Sequence, residues 1–331
     1  VKVDFGLTIY SVNDFESLNI ESSVRHFEPC IEIVLVGCVK GNFLFLKRYV
    51  IKCDFRSSAN SAEVIKQCLK DFYKLKKIRK GTLRFSIPSS NVKSFVLGNL
   101  ESVKTRSLKP LFWSKLSTVL SRPLEVEFPF VFAHLKQHLG PSLQETAVDF
   151  TRISSHQVWV VTCPKNIVNW AMALGNKRVP LVFMEPSLES LRRILFLKYP
   201  QCFEGARLKK TGLLWVDSVN YEKRIRLSIC DGVEIIWDRI FEPFISGSVD
   251  SLNRCLTLAL TDYEVQHQAF INEAPPFYLF IESEWADSLL EAMHEFFREH
   301  DFVAGVIQPV FPESLGLMRA DEFISYGLAI R

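Results

Sequence analysis

Two β-rich apolar runs in this chain carry an aspartate, and they lie about 210 residues apart. The first is Val1-Lys2-Val3-Asp4-Phe5-Gly6, and the second is Leu213-Leu214-Trp215-Val216-Asp217-Ser218. Each reads as a strand that ends on its aspartate, and each is followed by polar or small residues and a second strand pattern. A strand with an acidic tip, answered by a matching one far along the chain, implies two related α/β halves around a cleft. In phosphotransfer folds of this kind the acidic tips hold a metal, and Gly-rich turns after them cradle phosphate through backbone N–H groups. Here the tips are present and most of the glycines are not. The plainer reading of Asp4 and Asp217 is that each closes its strand turn through side-chain oxygens.

The chain has 331 residues, 48% hydrophobic with 27 Phe, enough for two or three domains or one large two-lobed unit with a sizeable core. A net charge of +3 is too small for a nucleic-acid footprint. The longest apolar stretches, Ile31–Gly37, Leu213–Val216 and Phe277–Ile281, are strand-sized and far below the ~20 residues of a membrane span. The sequence opens directly on a strand pattern, so no signal peptide is expected. The eight cysteines, at 30, 38, 53, 68, 163, 202, 230 and 255, form no C-x-x-C pair and have apolar neighbours. Buried, reduced thiols and a cytoplasmic compartment are expected. His134 and His138 are four apart but have no Cys at ligand spacing, so no metal site is expected. No nucleophile–base constellation stands out.

Strands are expected over Ile31–Cys38 and Asn42–Cys53, turning at Lys40-Gly41. A helix follows, capped by Asn60 or Ser61, with Val64, Ile65, Cys68, Leu69, Phe72 and Leu75 at 3–4 spacing. It runs into Lys74, Lys76, Lys77, Arg79 and Lys80, with Gly81 as its stop. Cations there complement the helix dipole; the alternative use of the cluster is contact with anionic lipid or an acidic partner. Next come strands over Thr82–Ile87 and Asn91–Gly98, a helix over Leu108–Leu120 broken by Arg122-Pro123-Leu124-Glu125, and strands over Ala147–Arg152 and Gln157–Cys163. A helix over Asn166–Leu174, a strand over Leu181–Met184 and a helix capped by Ser187 complete the first half. The second half opens near Gly205 with a meander over Leu213–Asp217, Ile225–Cys230 and Val233–Trp237, with Asp231-Gly232 as a tight turn. Helix Ser248–Phe270, strand Phe277–Ile281, helix Trp285–Phe297, strand Val306–Val310 and the closing segment Asp321–Arg331 follow. The halves share an element order without a sequence repeat.

That order of pieces resembles the PilM-like proteins, actin-like cytoplasmic components of type IV pilus and type II secretion machines. Val1–Gly6 looks like the opening strand of that family, and Thr82–Ser90 like the strand that closes on Pro-Gly-Ser-Ser. Trp113–Phe128, Val158–Val168 and Phe183–Leu191 look like successive later stretches, and Tyr326–Arg331 is similar to the family's last residues. The resemblance implies an α/β, actin-like (ASKHA/RNase H-like) two-lobed fold with a small inserted α/β subdomain. The boundaries it implies are 1–90 and 179–204 for the first lobe, 91–178 for the insertion, 205–313 for the second lobe, and 314–331 for a return to the first.

The same resemblance implies a scaffold that works at the inner-membrane face without spanning it. Its partner is the cytoplasmic tail of a PilN-like bitopic membrane protein, with the assembly ATPase as a further partner. The tail groove would lie between the first lobe and its insertion, with Arg84, Lys93, Phe95 and Lys115 on its walls. Relatives that bind ATP need three stretches, all altered here. After Asp4 and Gly6, Leu7, Ile9 and Tyr10 replace small or hydroxylated residues. After Asp217 and Ser218 there is no glycine, and the adenosine turn reads Leu279-Phe280-Ile281-Glu282-Ser283-Glu284. Asp4, Gly6, Asp217 and Ser218 are thus the remnant of a cofactor site, no cofactor and no catalytic residue are expected, and the rival reading is an actin-like ATPase or sugar-kinase relative binding Mg-ATP.

Overall fold

The protein is described from a computed structural model. It covers residues 3–12, 30–39, 45–54, 61–98, 129–152, 157–204, 207–219, 222–232, 234–241, 249–268, 270, 274–281, 283–315, 320 and 322–330. The chain divides into two compact units. One is made of residues 1–8, 33–190 and 325–331; the other is made of residues 9–32 and 191–324.

The first unit is built on strands β1 (Val3–Val12), β2 (Cys30–Val39) and β3 (Phe45–Asp54), helix α1 (Ser61–Leu75) and strand β4 (Gly81–Ile87). A later strand, β8 (Leu181–Pro186), completes a sheet of order β3-β2-β1-β4-β8. β4 runs parallel to both its neighbours, with Val3 opposite Gly81 and Leu7 opposite Phe85. A parallel strand covered on both faces is apolar nearly throughout. β4 is buried at every position but Arg84, and its two other polar side chains, Thr82 and Ser86, are hydrogen-bonded within the unit.

Helix α1 packs through Ile65, Leu69, Phe72 and Tyr73, all buried. The expected stripe included Leu75, which is 75% exposed; Tyr73 takes the inward place instead. The helix also stops earlier than Gly81. Lys77 adopts a left-handed φ of 54°. Its N–H donates to the Lys74 carbonyl at 3.1 Å, and that of Ile78 to the Tyr73 carbonyl at 2.9 Å. This is a Schellman closure with lysine at the position that favours glycine, and Gly81 is left to open β4. Lys77→Gly should therefore raise stability by about 0.5–1 kcal/mol in urea denaturation, the left-handed penalty less the entropy glycine adds to the unfolded chain.

β4 and β8 are neighbours in the sheet, yet a separate small layer lies between them in sequence. It contains β5 (Lys93–Leu97), α2 (Pro129–Leu139), β6 (Thr146–Arg152), β7 (Val158–Pro164) and α3 (Lys165–Met172). The strands form an antiparallel sheet of order β5-β7-β6 over a core of Leu97, Leu135, Val148, Val158 and Val160. The sequence reading passed over α2, although Pro129 at its first turn is a start signal. The expected helix Leu108–Leu120, with Lys115, lies outside the described residues, as does Arg122–Glu125. After β8 comes α4 (Ser187–Lys198), with Leu188, Leu191, Ile194 and Leu195 buried as their spacing predicts. Ser187 does not cap it: its hydroxyl lies 2.9 Å from that of Ser86 and 3.3 Å from the Ile87 carbonyl.

The second unit takes in α4 from Leu191 on and continues with a short pair, β9 (Phe203–Glu204) and β10 (Arg207–Leu208). It continues through β11 (Thr211–Val219), β12 (Glu222–Asp231), β13 (Glu234–Ile240), α5 (Val249–His267), β14 (Phe277–Phe280), α6 (Ser283–Glu299) and β15 (Ile307–Val310). Its strands follow the order β13-β12-β11-β14-β15, with β11, β14 and β15 parallel. This is the order of the first unit: second and third strands on one side of the first, fourth and fifth on the other. β1 and β11 therefore hold equivalent places. Aromatic rings fill this core, Phe270 meeting Tyr263, Phe296, Phe297 and Phe302 at 5.1–6.1 Å between centroids. The closing helix α7 (Glu322–Ala329) returns the chain to the first unit from Ser325 on.

Candidate functional site

Neither aspartate ends its strand. β1 continues to Val12 and β11 to Val219, which corrects the expectation of two acidic tips. At Asp4 the reason is sideways pairing. Thr82, directly across the parallel register, donates to Asp4 Oδ1 at 2.5 Å, and Arg84 donates to Asp4 Oδ2 at 3.3 Å. The carboxylate is only 4% exposed and is satisfied by side chains of β4, so the backbone is free to keep pairing. At Asp217 the strand continues as a hairpin arm, with Asp217 opposite Arg224 and Ser218 opposite Lys223.

The other end of Arg84 explains what this cluster does. One guanidinium nitrogen donates to the carbonyls of both Leu328 and Ala329 at 2.8 Å. These are the last carbonyls of α7, which have no intrahelical donor. Thr8 and Ser325 share a buried hydroxyl–hydroxyl bond of 2.6 Å. Gly6 lies under the same helix: a Cβ there would come 1.8 Å from the Ser325 carbonyl oxygen. On α7 itself, a Cβ at Gly327 would come 2.3 Å from the Ser190 carbonyl oxygen. Asp4 and Gly6 thus serve the seating of the C-terminal helix. Leu7 is fully buried, and so are Leu279, Phe280 and Ile281 of the third stretch, where α6 begins at Ser283. Glu282 lies outside the described residues.

Of the groove residues, Lys93 lines a cavity of about 820 Å³ in the inserted layer, together with Asn91, Gln144, Thr162, Lys165 and Asn169. Lys165 donates to the Gln144 carbonyl at 2.6 Å, and Thr162 to the Lys93 carbonyl at 3.2 Å. Cys163 is 1% exposed, and burial pushes its thiol up to about 12, so it sits in the cavity wall as a neutral, unreactive group. β5 borders the site and pairs only with β7 among the described residues. Phe95 is half-buried against the core of the insertion. Arg84 does not line this cavity, being committed to Asp4 and α7. Sequence reasoning missed Lys165 and Gln144; the strand-to-helix junction Cys163-Pro164-Lys165 was their only local signal. Among the described residues no group of three His, Cys, Asp or Glu is placed to hold a metal, and no helix is long and apolar enough to cross a membrane.

No protein-family profile and no curated protein sequence matches the chain. Solved structures do. The chain is similar over 91% of its length, and 95% of the other chain, to a structure described as the PilM-PilN type IV pilus biogenesis complex, with a TM-score of 0.53 and 14% identity. Weaker likenesses are to the cytoplasmic domain of EpsL, an inner membrane component of the type II secretion system of Vibrio cholerae (TM-score 0.42, 7% identity, 89% and 88% coverage), and to the ethanolamine utilization protein EutJ from Carboxydothermus hydrogenoformans (0.39, 9%, 90% and 85%). At 14% identity the first likeness is one of fold. The chain has the actin-like α/β fold of PilM, as the six sequence pieces implied.

Proposed function

We propose that this protein is a non-catalytic scaffold of a type IV pilus or type II secretion platform. It would sit at the cytoplasmic face of the inner membrane and hold the tail of a PilN-like membrane protein. One observation carries the reading: within a PilM-like fold, the residues that would begin a phosphate site are used to fasten α7. Asp4 is taken by Thr82 and Arg84, and Gly6 by the Ser325 carbonyl. A metal drawn to Asp4 would have to displace Arg84 and strand two helix carbonyls. The assembly ATPase is proposed as a second partner on the strength of the resemblance alone.

For the tail, the cavity beside Lys93, and the place of β5 at the end of the described order β5-β7-β6, support an extended peptide added as a strand, with side chains reaching the cavity. Lys93→Glu should weaken a PilN-like tail peptide about tenfold in calorimetry, in line with loss of one charge-assisted contact, and leave melting unchanged because the side chain is exposed. Wild-type affinity in that variant would remove the cavity from the reading. The rival, an ATPase, is separated by a melting experiment. A ligand at 100 times its Kd stabilises by about 2.7 kcal/mol; millimolar Mg-ATP should give no such shift. An upward shift that Asp217→Ala abolishes would favour the enzyme.

A further inference from the structure

Two surfaces outside this cavity carry opposite charge beside an exposed apolar side chain. The first is the end of α1, where Leu75 is 75% exposed and Lys74, Lys77, Arg79 and Lys80 are exposed around it. The Schellman hydrogen bonds and the left-handed Lys77 fix the shape of this turn. Glycine takes that conformation with less strain, whereas lysine adds charge where the turn presents it.

The second is a groove of about 580 Å³ between α5 and α6. Glu291, Glu295 and Glu299 line it from α6, one turn apart, and span about 12 Å at 1.5 Å per residue. Leu258, 70% exposed, and Arg254 line it from α5. Within α6, Arg298 reaches Glu295 at 3.5 Å, an exposed pair that is weak in water. Asn253 lines the same groove; its amide nitrogen donates to Ser288 at 3.0 Å, while its buried oxygen has no hydrogen-bond partner among the described residues.

We propose that the basic end of α1 in one copy docks in the α5–α6 groove of a second copy. Leu75 then meets Leu258, and Lys77, Arg79 and Lys80 face Glu291, Glu295 and Glu299. Charge complementarity within one chain favours this occupant over an anionic membrane, into which the single apolar side chain of the turn would insert little. The two surfaces differ, so the contact is heterologous and copies add head to tail. Rim ion pairs are individually weak, which makes the assembly salt-sensitive and favours it where copies are concentrated. The inference is independent of the tail-binding reading.

Sedimentation velocity over about a hundredfold range of concentration tests it. The wild-type mass should grow past two copies at low salt and fall back to one at about 0.5 M NaCl, where the Debye length is short. Lys77→Glu with Lys80→Glu, and separately Glu291→Lys with Glu295→Lys, should each leave a monomer with unchanged melting. Mixed together, those two variants should assemble again past a dimer, because the intact groove of the first meets the intact turn of the second and the two charge-reversed surfaces complement each other. Leu75→Ser tests the apolar part without altering charge and should weaken the assembly severalfold. A wild type monomeric throughout, a dimer unaffected by these variants, or a mixture that fails to pair would overturn the proposal. Binding of the monomer to phosphatidylglycerol vesicles, lost in Lys77→Glu with Lys80→Glu, would assign the basic turn to lipid instead.

Discussion

Replacing Arg84 with alanine should lower the unfolding free energy by about 3–5 kcal/mol, the cost of leaving a buried charge without its partner. Three groups lose a donor at once: the carbonyls of Leu328 and Ala329, and the buried Asp4 carboxylate, which keeps Thr82 but loses its countercharge. A typical domain is stable by only about 5–15 kcal/mol, so the loss should be visible as a shifted urea midpoint at unchanged slope. Hydrogen exchange should rise first in residues 325–330, the part of α7 that Arg84 holds. Arg84→Lys should recover only part of the loss, because an ammonium cannot fork between carboxylate and helix end as a guanidinium does. If Arg84→Ala unfolds within 1 kcal/mol of wild type, the arginine is not the fastening of α7.

Gly6→Ala should cost about 3 kcal/mol, at the upper end of what one inserted methyl does to a packed interior. The atom it would strike, the Ser325 carbonyl oxygen at 1.8 Å, belongs to backbone. No rotamer change relieves the contact, so α7 must rise from β1 or β1 must bend, and either weakens the Thr8–Ser325 bond. The larger prediction concerns signature: Gly6→Ala and Arg84→Ala act on the same helix, so together they should destabilise by less than their sum. Additive losses would mean that the two residues support different parts of the fold.

The strands and helices of the second unit were legible in the sequence because their signals are local. Leu213–Val216 and Phe277–Ile281 are short apolar runs, Asp231-Gly232 marks the hairpin, and Gly232 has the positive φ of 61° that such a turn uses. On α6, Leu289, Met293 and Phe296 point inward as their spacing requires. The site was not legible in the same way. Asp4 was read as a strand tip because its partners, Thr82 and Arg84, lie about 80 residues away and no local pattern announces them. Arg84 was read as a groove wall for the same reason, its acceptors at Leu328 and Ala329 being more distant still. The end of α1 was misplaced from Lys77 to Gly81 because a lysine in left-handed backbone looks, in sequence, like any other lysine. The cavity that Lys93 lines lies within the inserted layer, and Lys165 and Gln144, which share it, come from elements that meet only in the folded sheet.

The bond between Thr8 and Ser325 also sets a clock on synthesis. A ribosome adds about 5–20 residues each second, so the roughly 320 residues from Gly6 to Ser325 take about 16–64 seconds to make. Throughout that interval the central strand of the first unit lacks the helix that covers Gly6 and the acceptors that Arg84 needs, while the second unit is assembled almost entirely in between. The nascent protein must be kept from sticking to its neighbours until Ser325 and the residues after it have been made. A chain that stopped short of Ser325 would not be a slightly shorter version of the same protein; its first-made strand would never receive its cover.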